Sequence, residues 1–310
     1  MEGVTDPVFR GTVLARHGPK DLGGAFTEFV RVVQDALPRK VLRRHLGEER
    51  FDVPVGLQLM GRDLTALAAS AARVVEVGAP LLDLNFGCPA KGALRGCAGS
   101  ALLKDPAALE NVVRVCFEAV EGSIPVTAKI RAGYDDARRV EELARAAESG
   151  GAALLTIHCR TRAEGYQDEV DWTRIERAVS AVSIPVCGNG RVQRYADLER
   201  MRSETGCAYV MIGQAAMADP WVFTGYTPTA PEALRFLTDY VERMRAAGRS
   251  ERSTEARLKQ LVRVWTAGDL IPSAEERALC LRLRGYAVLL ERLEFLAQSR
   301  RTASASSATP

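Results

Sequence analysis

The chain has 310 residues, of which 47% are hydrophobic and 26% are charged, and its formal net charge at pH 7 is +3. This length and composition are typical of a globular protein with one long domain, or with one domain and a smaller second one. No uninterrupted apolar run is long enough to cross a bilayer, and the acidic residues Glu2 and Asp6 are unlike the start of a secretory signal peptide. We therefore expect a cytoplasmic protein without a membrane segment.

The seven cysteines are scattered along the chain and never occur with the C-x-x-C spacing. The three histidines show no paired spacing of the kind that metal ligands need. This pattern argues against a zinc site or a disulfide framework, and it predicts reduced thiols and no metal.

Short apolar runs rich in β-forming residues alternate with helical patterns, which is typical of a parallel sheet. Their roughly even spacing favours an α/β fold of the (β/α)8 TIM-barrel type over an open doubly wound sheet. No G-x-G-x-x-G turn follows an early strand, so a Rossmann fold has no support. The predicted strands are 24–30, 54–60, 81–86, 126–130, 154–158, 184–188 and 208–212, and the predicted helices include 64–77, 106–120, 140–149 and 195–205.

Seven strands are visible where such a barrel needs eight, and the first strand is the one without a counterpart. The chain opens with Met-Glu-Gly-Val-Thr-Asp-Pro, which resembles the loop after a strand. We expect that the sequence is truncated or that its start codon is assigned too late. An upstream reading frame that encodes an apolar run ending in Ala-Pro would support this expectation.

The chain changes character at residues 227–231, a Thr-Pro-Thr-Ala-Pro segment with the composition of a linker. Residues 1–226 are predicted to form the barrel, and residues 232–298 show helical spacing that predicts a bundle of three or four helices. Residues 299–310 are rich in Ser, Ala and Thr and are predicted to be disordered. From residue 232 onward, 14 basic residues stand against 10 acidic ones, which indicates either a polyanion partner or ordinary solvated helix faces.

The most informative stretch is Leu-Asp-Leu-Asn-Phe-Gly-Cys-Pro at 82–89, where an apolar strand runs into a turn. Gly87 lets the backbone turn sharply, and Pro89 stops the strand and stiffens the chain after Cys88. A thiol at the mouth of a strand can transfer a proton or attack an electrophile. The cysteine could equally be a buried packing residue, and this stretch alone leaves both interpretations open.

Nearly every predicted strand ends in a polar or charged residue, and TIM barrels carry their catalytic groups at the carboxyl ends of the strands. Glycines follow the last two strands, where backbone N–H groups can cradle a phosphate. Lys129 and His158 end adjacent strands and both can carry positive charge, which suits a cofactor that becomes anionic, such as a reduced flavin. The polar strand ends are Glu28 and Arg31, Gln58, Asn85 to Cys88, Lys129 and Arg131, His158 and Arg160, Asn189 to Arg191, and Gly213 with Gln214.

Eight motifs recur in order along the chain: MEGVTD at 1–6, GLQL at 56–59, DLNFGCP at 83–89, ALLKDP at 101–106, KIRAG at 129–133, HCRTR at 158–162, GNG at 188–190 and VMIG at 210–213. Their order and spacing resemble the tRNA-dihydrouridine synthase family of flavoproteins over almost the whole chain. The segment TEFVRV at 27–32, followed by Leu37 and Pro38, resembles the bacterial subfamily that acts on uridine 16 in the D-loop.

The resemblance implies an FMN-dependent reduction of a uridine in tRNA, with NADPH as the electron source and a monomeric enzyme. It implies that Cys88 is the general acid and that Asn85 meets the flipped uracil. The family usually has an arginine at the position of Gln214, so a charged contact to the cofactor phosphate is lost here. The residues implied to contact FMN are Met1, Gln58, Lys129, His158, Asn189, Gly190, Arg191, Gly213 and Gln214. Those implied to contact RNA are Arg31, Tyr166, Arg257, Lys259 and Arg282.

Two other functions fit part of the pattern. A flavoprotein of the dihydroorotate or dihydropyrimidine dehydrogenase kind would also use a phosphate-binding barrel, but a free pyrimidine needs no basic helical domain. A tRNA-binding protein that has lost its flavin is suggested by Gln214 and by the short N-terminal region. Turnover of a free pyrimidine without RNA would favour the first, and a colourless protein that binds tRNA would favour the second.

Overall fold

The computed structural model describes residues 4–89, 98–165 and 169–306, with side chains described as far as residue 300. Within these ranges the chain divides into two compact units. Residues 8–17 and 213–226, which the sequence assigns to the barrel domain, lie in the second unit. The first unit comprises the residues up to Pro7 with Gly18–Val192 and Ala196–Ile212, and the second comprises Val8–His17, Gln193–Tyr195 and the residues from Gly213 onward.

The first unit is built on a parallel sheet. Its strands are β1 (Ala25–Phe26), β2 (Val30–Arg31), β3 (Val55–Met60), β4 (Leu82–Asn85), β5 (Val126–Arg131), β6 (Leu154–His158), β7 (Val186–Asn189) and β8 (Tyr209–Met211). The short strands β1 and β2 both pair with β3, and from β3 onward each strand pairs with the next one along the chain. Six of the seven predicted strands are confirmed, whereas the predicted strand 24–30 is divided into β1 and β2. The sheet with its surrounding helices has the predicted TIM-barrel type of fold. In the described ranges the sheet ends at β1 and β2 on one side and at β8 on the other.

Helices alternate with most strands, and the four helices predicted between strands are confirmed to within one residue. Asp63 and Asp105 cap two of them, because their carboxylates accept hydrogen bonds from N–H groups of the first turn. No helix in the described parts of the chain is both long and apolar enough to span a membrane. The helices are α1 (Pro7–Leu14), α2 (Arg39–Leu46), α3 (Leu64–Glu76), α4 (Pro106–Ala119), α5 (Val140–Ser149), α6 (Thr173–Ala181), α7 (Tyr195–Thr205), α8 (Ala215–Ala218), α9 (Ala230–Ala246), α10 (Glu251–Val262), α11 (Ala274–Arg282) and α12 (Tyr286–Ser306), with 3-10 turns at Gly99–Lys104 and Ala267–Asp269.

The sheet has two faces of opposite character, because successive side chains of a strand point to opposite sides. One face carries Leu57, Leu59, Leu84, Ile130 and Ile157, each at most 1% exposed, and forms the main core with the surrounding helices. Full burial of such a side chain contributes roughly 1.5–3 kcal/mol, so this apolar face stabilises the unit. The opposite face is polar and positions the candidate site.

The second unit has a core of its own that is rich in aromatic rings. Phe9 of α1 lies edge-on to Phe236 and Tyr240 of α9, with ring centroids 6.2 and 5.9 Å apart. The ring centroids of Trp265 and Phe236 are 5.6 Å apart. These contacts explain why α1, although it comes early in the chain, belongs to the helical unit.

The last helix is longer than the sequence predicts. Residues 299–310 are predicted to be disordered, whereas α12 extends to Ser306 and so runs past the predicted boundary; disorder at the end of the chain stays a prediction. Leu289, Leu293 and Leu296 are buried and fix the earlier part of α12. Extending an existing helix needs no new nucleus, and alanine favours the helical conformation, so the helix continues into the Ala- and Ser-rich segment. Residues 307–310 lie outside the described residues.

Candidate active site

The polar face of the sheet brings together site residues from five neighbouring strands near their carboxyl ends. Asn85 of β4 lies opposite Lys129 of β5, and His158 of β6 lies opposite Asn189 of β7. Paired residues of parallel strands point to the same face, and Gln58 of β3 lies on this face as well. Five residues predicted from separate strand ends are therefore placed on one continuous surface.

A chain of hydrogen bonds runs along this face from a buried carboxylate. Asp83 is fully buried, and its two oxygens accept hydrogen bonds from Gln58 Nε2 at 2.6 Å and from Thr127 Oγ1 at 2.5 Å. Gln58 Oε1 in turn accepts from Asn85 Nδ2 at 2.7 Å. Burial raises the pKa of Asp83 to about 6, although the bonds from Thr127 and Gln58 oppose the rise. Asp83 is therefore mainly ionised at neutral pH.

The loop that carries Cys88 is held at three points. Asn85 Oδ1 accepts hydrogen bonds from the backbone N–H groups of Gly87 and Cys88, both at 3.0 Å. Ser100 Oγ donates to the carbonyl oxygen of Cys88 at 2.8 Å, and Arg131 Nε donates to the carbonyl oxygen of Gly87 at 2.8 Å. The thiol is thus presented by a backbone that is fixed on both sides of the residue.

Gly99 lies close to this loop in a backbone conformation that favours glycine. Its φ of +60° favours glycine, and a Cβ there would lie 3.1 Å from the carbonyl oxygen of Cys88 and 3.1 Å from Met60 Sδ. The segment after the loop therefore packs directly on the backbone of Cys88.

Cys88 differs in its surroundings from the other cysteines that the structure describes. It is partly exposed, whereas Cys116, Cys159, Cys187, Cys207 and Cys280 are all buried. Burial raises the pKa of Cys159 to about 11 and that of Cys187 to about 12, so both remain thiols at neutral pH. Their burial indicates that these five cysteines are packing residues, while Cys97 lies outside the described residues.

Lys129 supplies a positive charge to the polar face. Burial lowers the pKa of Lys129 to about 8, although the nearby charge of Asp83 opposes the change. In the part of the chain that the structure describes, Nζ has no hydrogen-bond or ion-pair partner within reach. A partly desolvated ammonium without a partner is suited to bind an anion or an electron-rich oxygen.

His158 lies beside this lysine but is neutral. Burial, together with the charges of Lys129, Arg131 and Arg160, lowers the pKa of His158 to about 2. The sequence allowed His158 to carry a positive charge, but a second cation beside Lys129 would be both desolvated and repelled, so this environment favours the neutral ring. The backbone N–H of Arg160 donates to Nδ1 at 3.2 Å, so the proton of the neutral ring is on Nε2. His158 acts as a neutral hydrogen-bond donor.

The turn after β7 is fixed by close packing. Asn189 Nδ2 donates to the carbonyl oxygen of Met211 at 2.8 Å, and Trp172 Nε1 donates to the carbonyl oxygen of Gly190 at 3.1 Å. Gly190 has a φ of +132°, and a Cβ there would lie 2.4 Å from Cys159 Sγ. Only glycine is compatible with this turn, in agreement with the predicted glycine-rich end of the strand.

The other residues implied to contact FMN are divided between the two units. Arg191 is exposed just beyond β7, and Gly213 and Gln214 begin the last segment of the second unit. Met1 lies outside the described residues. A phosphate cradle that combines the turn after β7 with Gly213 stays a prediction.

The residues implied to contact RNA lie in both units. Arg31 is exposed on β2, and Arg282 is exposed at the end of α11. On α10, Arg257 Nη1 donates to Gln260 Oε1 at 3.0 Å, and Lys259 Nζ forms an ion pair with Glu255 at 2.7 Å. Both α10 side chains are thus held on the helix surface by their own neighbours. Tyr166 lies outside the described residues.

Sequence reasoning gave no role to Asp83 and Ser100, which hold the site in place, or to Thr127, which donates a hydrogen bond to Asp83. The signal that could have found the first two is alternation, since polar residues recur at every second position of β4 and β5. Ser100 offered no signal, because its contact with the Cys88 loop joins segments that are distant along the chain.

The polar face presents mainly hydrogen-bond donors and one thiol to a ligand. Lys129 offers an ammonium, His158 a neutral ring N–H, and Asn85 a second amide hydrogen beyond the one bonded to Gln58. Such a set fits an electron-rich ring with several acceptors, and Cys88 adds a group that can transfer a proton. Across the described ranges, no cluster of His, Cys, Asp and Glu is arranged to hold a metal ion.

Comparison with known proteins identifies the family. The family model described as "Dihydrouridine synthase (Dus)" matches residues 1–267. A "tRNA-dihydrouridine(16) synthase" of Shewanella oneidensis is 37% identical over 271 residues, which cover 84% of this chain and 85% of that protein. A protein of the same name from Cupriavidus necator is 42% identical over 228 residues, covering 72% and 70%. One from Ralstonia nicotianae is 39% identical over 261 residues, covering 79% of each. With its cysteine loop and polar sheet face, this chain belongs to the dihydrouridine synthase family.

Proposed function

We propose that this protein reduces the C5–C6 double bond of uridine 16 in the D-loop of tRNA, with FMN as its flavin and NADPH as the electron source. The observation that carries the proposal is the geometry of Cys88, a partly exposed thiol on a braced loop beside Lys129 and Asn85. The family and the names of the relatives support the reaction and the target nucleotide. The monomeric state and the cytoplasmic location expected from the sequence belong to the same proposal.

Cys88 acts as the general acid. Bound FMN would supply the hydride that uracil C6 receives. The thiol then gives its proton to C5, and the bond between C5 and C6 becomes single. Asn85 fixes the backbone at Cys88 and directs its remaining amide hydrogen to a uracil carbonyl oxygen, so one side chain both places the acid and orients the base. The target base must leave its stack to reach this surface.

The polar face would bind the flavin ring through donors. Lys129 contributes the positive charge that favours an electron-rich cofactor, and His158 contributes a neutral N–H. Gln58 and Asn189 lie on the same face and are held in fixed orientations by Asp83 and by the Met211 carbonyl. Gly190, Arg191, Gly213 and Gln214 would contact the phosphate, with the backbone as the main donor at Gln214 because its side chain is uncharged.

We assign the tRNA contacts to residues of both units, with the first unit as the catalytic part and residues 232–298 as the RNA-binding part. Arginine and lysine bind phosphates and release counterions, so affinity for tRNA is expected to fall steeply with salt. The excess of basic over acidic residues after residue 232 supports this assignment. The residues concerned are Arg31, Tyr166, Arg257, Lys259 and Arg282.

The proposal is tested with purified protein and unmodified tRNA transcripts. The visible spectrum first reports whether the protein carries oxidised flavin, and the released cofactor is identified by mass spectrometry. Incubation with NADPH and a transcript that has U16 should then yield dihydrouridine, measured in nuclease digests. The matched control is the same transcript with C16 and every other uridine unchanged, which should yield none.

Each failure points to a different function. Product from the C16 transcript would contradict the assignment of position 16 but not the reaction. Reduction of free uracil, or turnover of dihydroorotate, in the absence of RNA would favour a flavoprotein of the dihydroorotate or dihydropyrimidine dehydrogenase kind. A colourless protein that binds tRNA, and that makes no product when FMN is added, would overturn the enzymatic proposal.

A further inference from the structure

Asp83 is a buried carboxylate whose position needs an explanation. It has no exposed surface and lies two residues before Asn85 on β4. Placing an ionised carboxylate inside a protein is costly unless its oxygens accept hydrogen bonds. Here both oxygens do so, one from Thr127 and the other from Gln58. The two bonds differ, because only the one to Gln58 continues towards the cysteine loop.

The hydrogen bonds beyond Asp83 have a fixed direction. A carboxylate oxygen can only accept, so Gln58 must turn its NH2 group to Asp83 and its oxygen to Asn85. Asn85 must then turn its NH2 group to Gln58 and its oxygen to the loop. That oxygen is the acceptor required by the N–H groups of Gly87 and Cys88. The carboxylate and the loop therefore demand the same orientation of both intervening amides.

We propose that Asp83 is a positioning residue: through Gln58 and Asn85 it selects the amide orientation that holds the backbone of Cys88 in place. The inference rests on the function proposed above, in which Cys88 delivers the proton. Without an acceptor at position 83, Gln58 is free to rotate its amide and present NH2 to Asn85. Two NH2 groups would then face each other, and Asn85 would lose the orientation in which it accepts from the loop.

The alternative is that Asp83 only stabilises the interior of the sheet. The hydrogen bond from Thr127 allows the positioning role and the structural role of Asp83 to be separated. Thr127 donates to Asp83 but is not part of the series of hydrogen bonds that reaches Cys88 through Gln58 and Asn85. Thr127→Val removes a buried hydrogen bond of Asp83 and leaves the path to the loop intact. Asp83→Leu removes the acceptor from both branches. Asp83→Asn keeps an oxygen for Gln58 and can donate its NH2 group to the Thr127 hydroxyl, so it preserves the direction of the path.

The experiment measures the alkylation rate of Cys88 by iodoacetamide in the full-length wild type and in the three variants. Tryptic peptides are quantified by mass spectrometry, and Arg95 separates the peptide of Cys88 from that of Cys97. Folding of each variant is checked by circular dichroism and thermal unfolding. A fourth variant, Gln58→Leu, removes the amide that links Asp83 to Asn85. If Asp83→Leu does not fold, the alkylation rate of Cys88 in Gln58→Leu takes its place.

In Asp83→Leu and Gln58→Leu the released loop should raise the alkylation rate about tenfold. Asp83→Leu should also lower kcat for dihydrouridine formation about ten- to a hundredfold at pH 6.5, with KM for tRNA nearly unchanged. Asp83→Asn should remain within about threefold of wild type in both measurements. Thr127→Val should lower the unfolding temperature and leave the alkylation rate unchanged.

Two results would overturn the proposal. The first is that Cys88 is alkylated at the same rate in Asp83→Leu, Gln58→Leu and Thr127→Val. Asp83 would then have a purely structural role. The second is a loss in Asp83→Asn as large as in Asp83→Leu, which would assign the effect to charge rather than to an acceptor. Alkylation needs neither flavin nor tRNA, so a wild-type protein that forms no dihydrouridine would contradict the proposed function while this test still reports on Asp83.

Discussion

The two faces of the parallel sheet use neighbouring residues of the same strands for opposite purposes. Lys129 and Ile130 are consecutive on β5, yet one lies on the polar face beside the cysteine loop and the other is fully buried in the main core. The apolar face gains free energy from burial, whereas the polar face contains buried groups that burial alone would destabilise. Stability and chemistry are thus divided between the two sides of each strand, and substitutions on the two faces should have separable effects.

The largest effect on the polar side is expected from Cys88→Ala. Removing a general acid typically lowers a rate by about a hundred- to ten-thousandfold, so dihydrouridine formation should fall by that factor. Flavin content and tRNA affinity should be retained, because the change is small and the loop contacts use the backbone. Product is measured in tRNA digests and flavin by its visible absorbance. Full product yield from this variant would contradict the assignment of the acid.

The next effect is expected from Lys129→Met, which removes the cation of the polar face. Loss of one preorganised charge should lower kcat about a hundredfold. Because the pKa of Lys129 is about 8, its ammonium is present below that pH and is lost above it. Wild-type activity should therefore decline above about pH 8, and Lys129→Arg should move this decline to higher pH because guanidinium stays protonated. If wild type and Lys129→Arg had the same pH–rate profile, the decline in activity above about pH 8 would not come from deprotonation of Lys129.

On the apolar side, Ile130→Ala should change stability rather than catalysis. A large-to-small change at a fully buried isoleucine lowers the free energy of unfolding by about 2 to 5 kcal/mol, through lost burial and the cavity left behind. Ile130→Val is the milder control, at about 0.5–1.5 kcal/mol. Denaturant unfolding checks both values, and kcat at 25 °C should stay near that of wild type. A hundredfold loss of kcat in folded Ile130→Ala would show that the two faces are not separable.

The smallest effect is expected from His158→Gln. Because the pKa of His158 is lowered to about 2, the ring is neutral throughout the working pH range and supplies a donor but no charge. Glutamine supplies a neutral donor as well, so kcat should stay within about tenfold of wild type. The pH–rate profile should show no change near pH 6.5 that depends on this residue. A loss in His158→Gln comparable to that of Lys129→Met would indicate that a charged imidazole is needed.

Much of the barrel could be predicted from local patterns in the sequence. The strands and helices followed from the alternation of apolar runs and helical spacing, and Cys88 followed from the turn residues around it. The motifs also identified the family that the comparisons establish. These features depend on residues close together in the chain, and the sequence displays them directly.

Other features depended on contacts between distant segments. The neutral state of His158 comes from burial and from cations on neighbouring strands, and the helical unit gains α1 through contacts of Phe9 with rings more than two hundred residues away. The earlier part of α12 is fixed by the burial of Leu289, Leu293 and Leu296. Local patterns contain no information on such neighbours, so the sequence did not predict these features.

The sequence by itself determined which residue types stand at the strand ends, where the backbone turns, and to which family the chain is related. The tertiary structure decided how those residues act, because hydrogen-bond direction, pKa and accessibility are properties of a residue and its neighbours in space. Asp83 is the clearest case: in the sequence it is one polar residue within a strand, and in the folded protein its carboxylate faces two side chains from adjacent strands. Strand pairing places these groups within hydrogen-bond distance, and only then does the direction of the bonds to the cysteine loop become fixed.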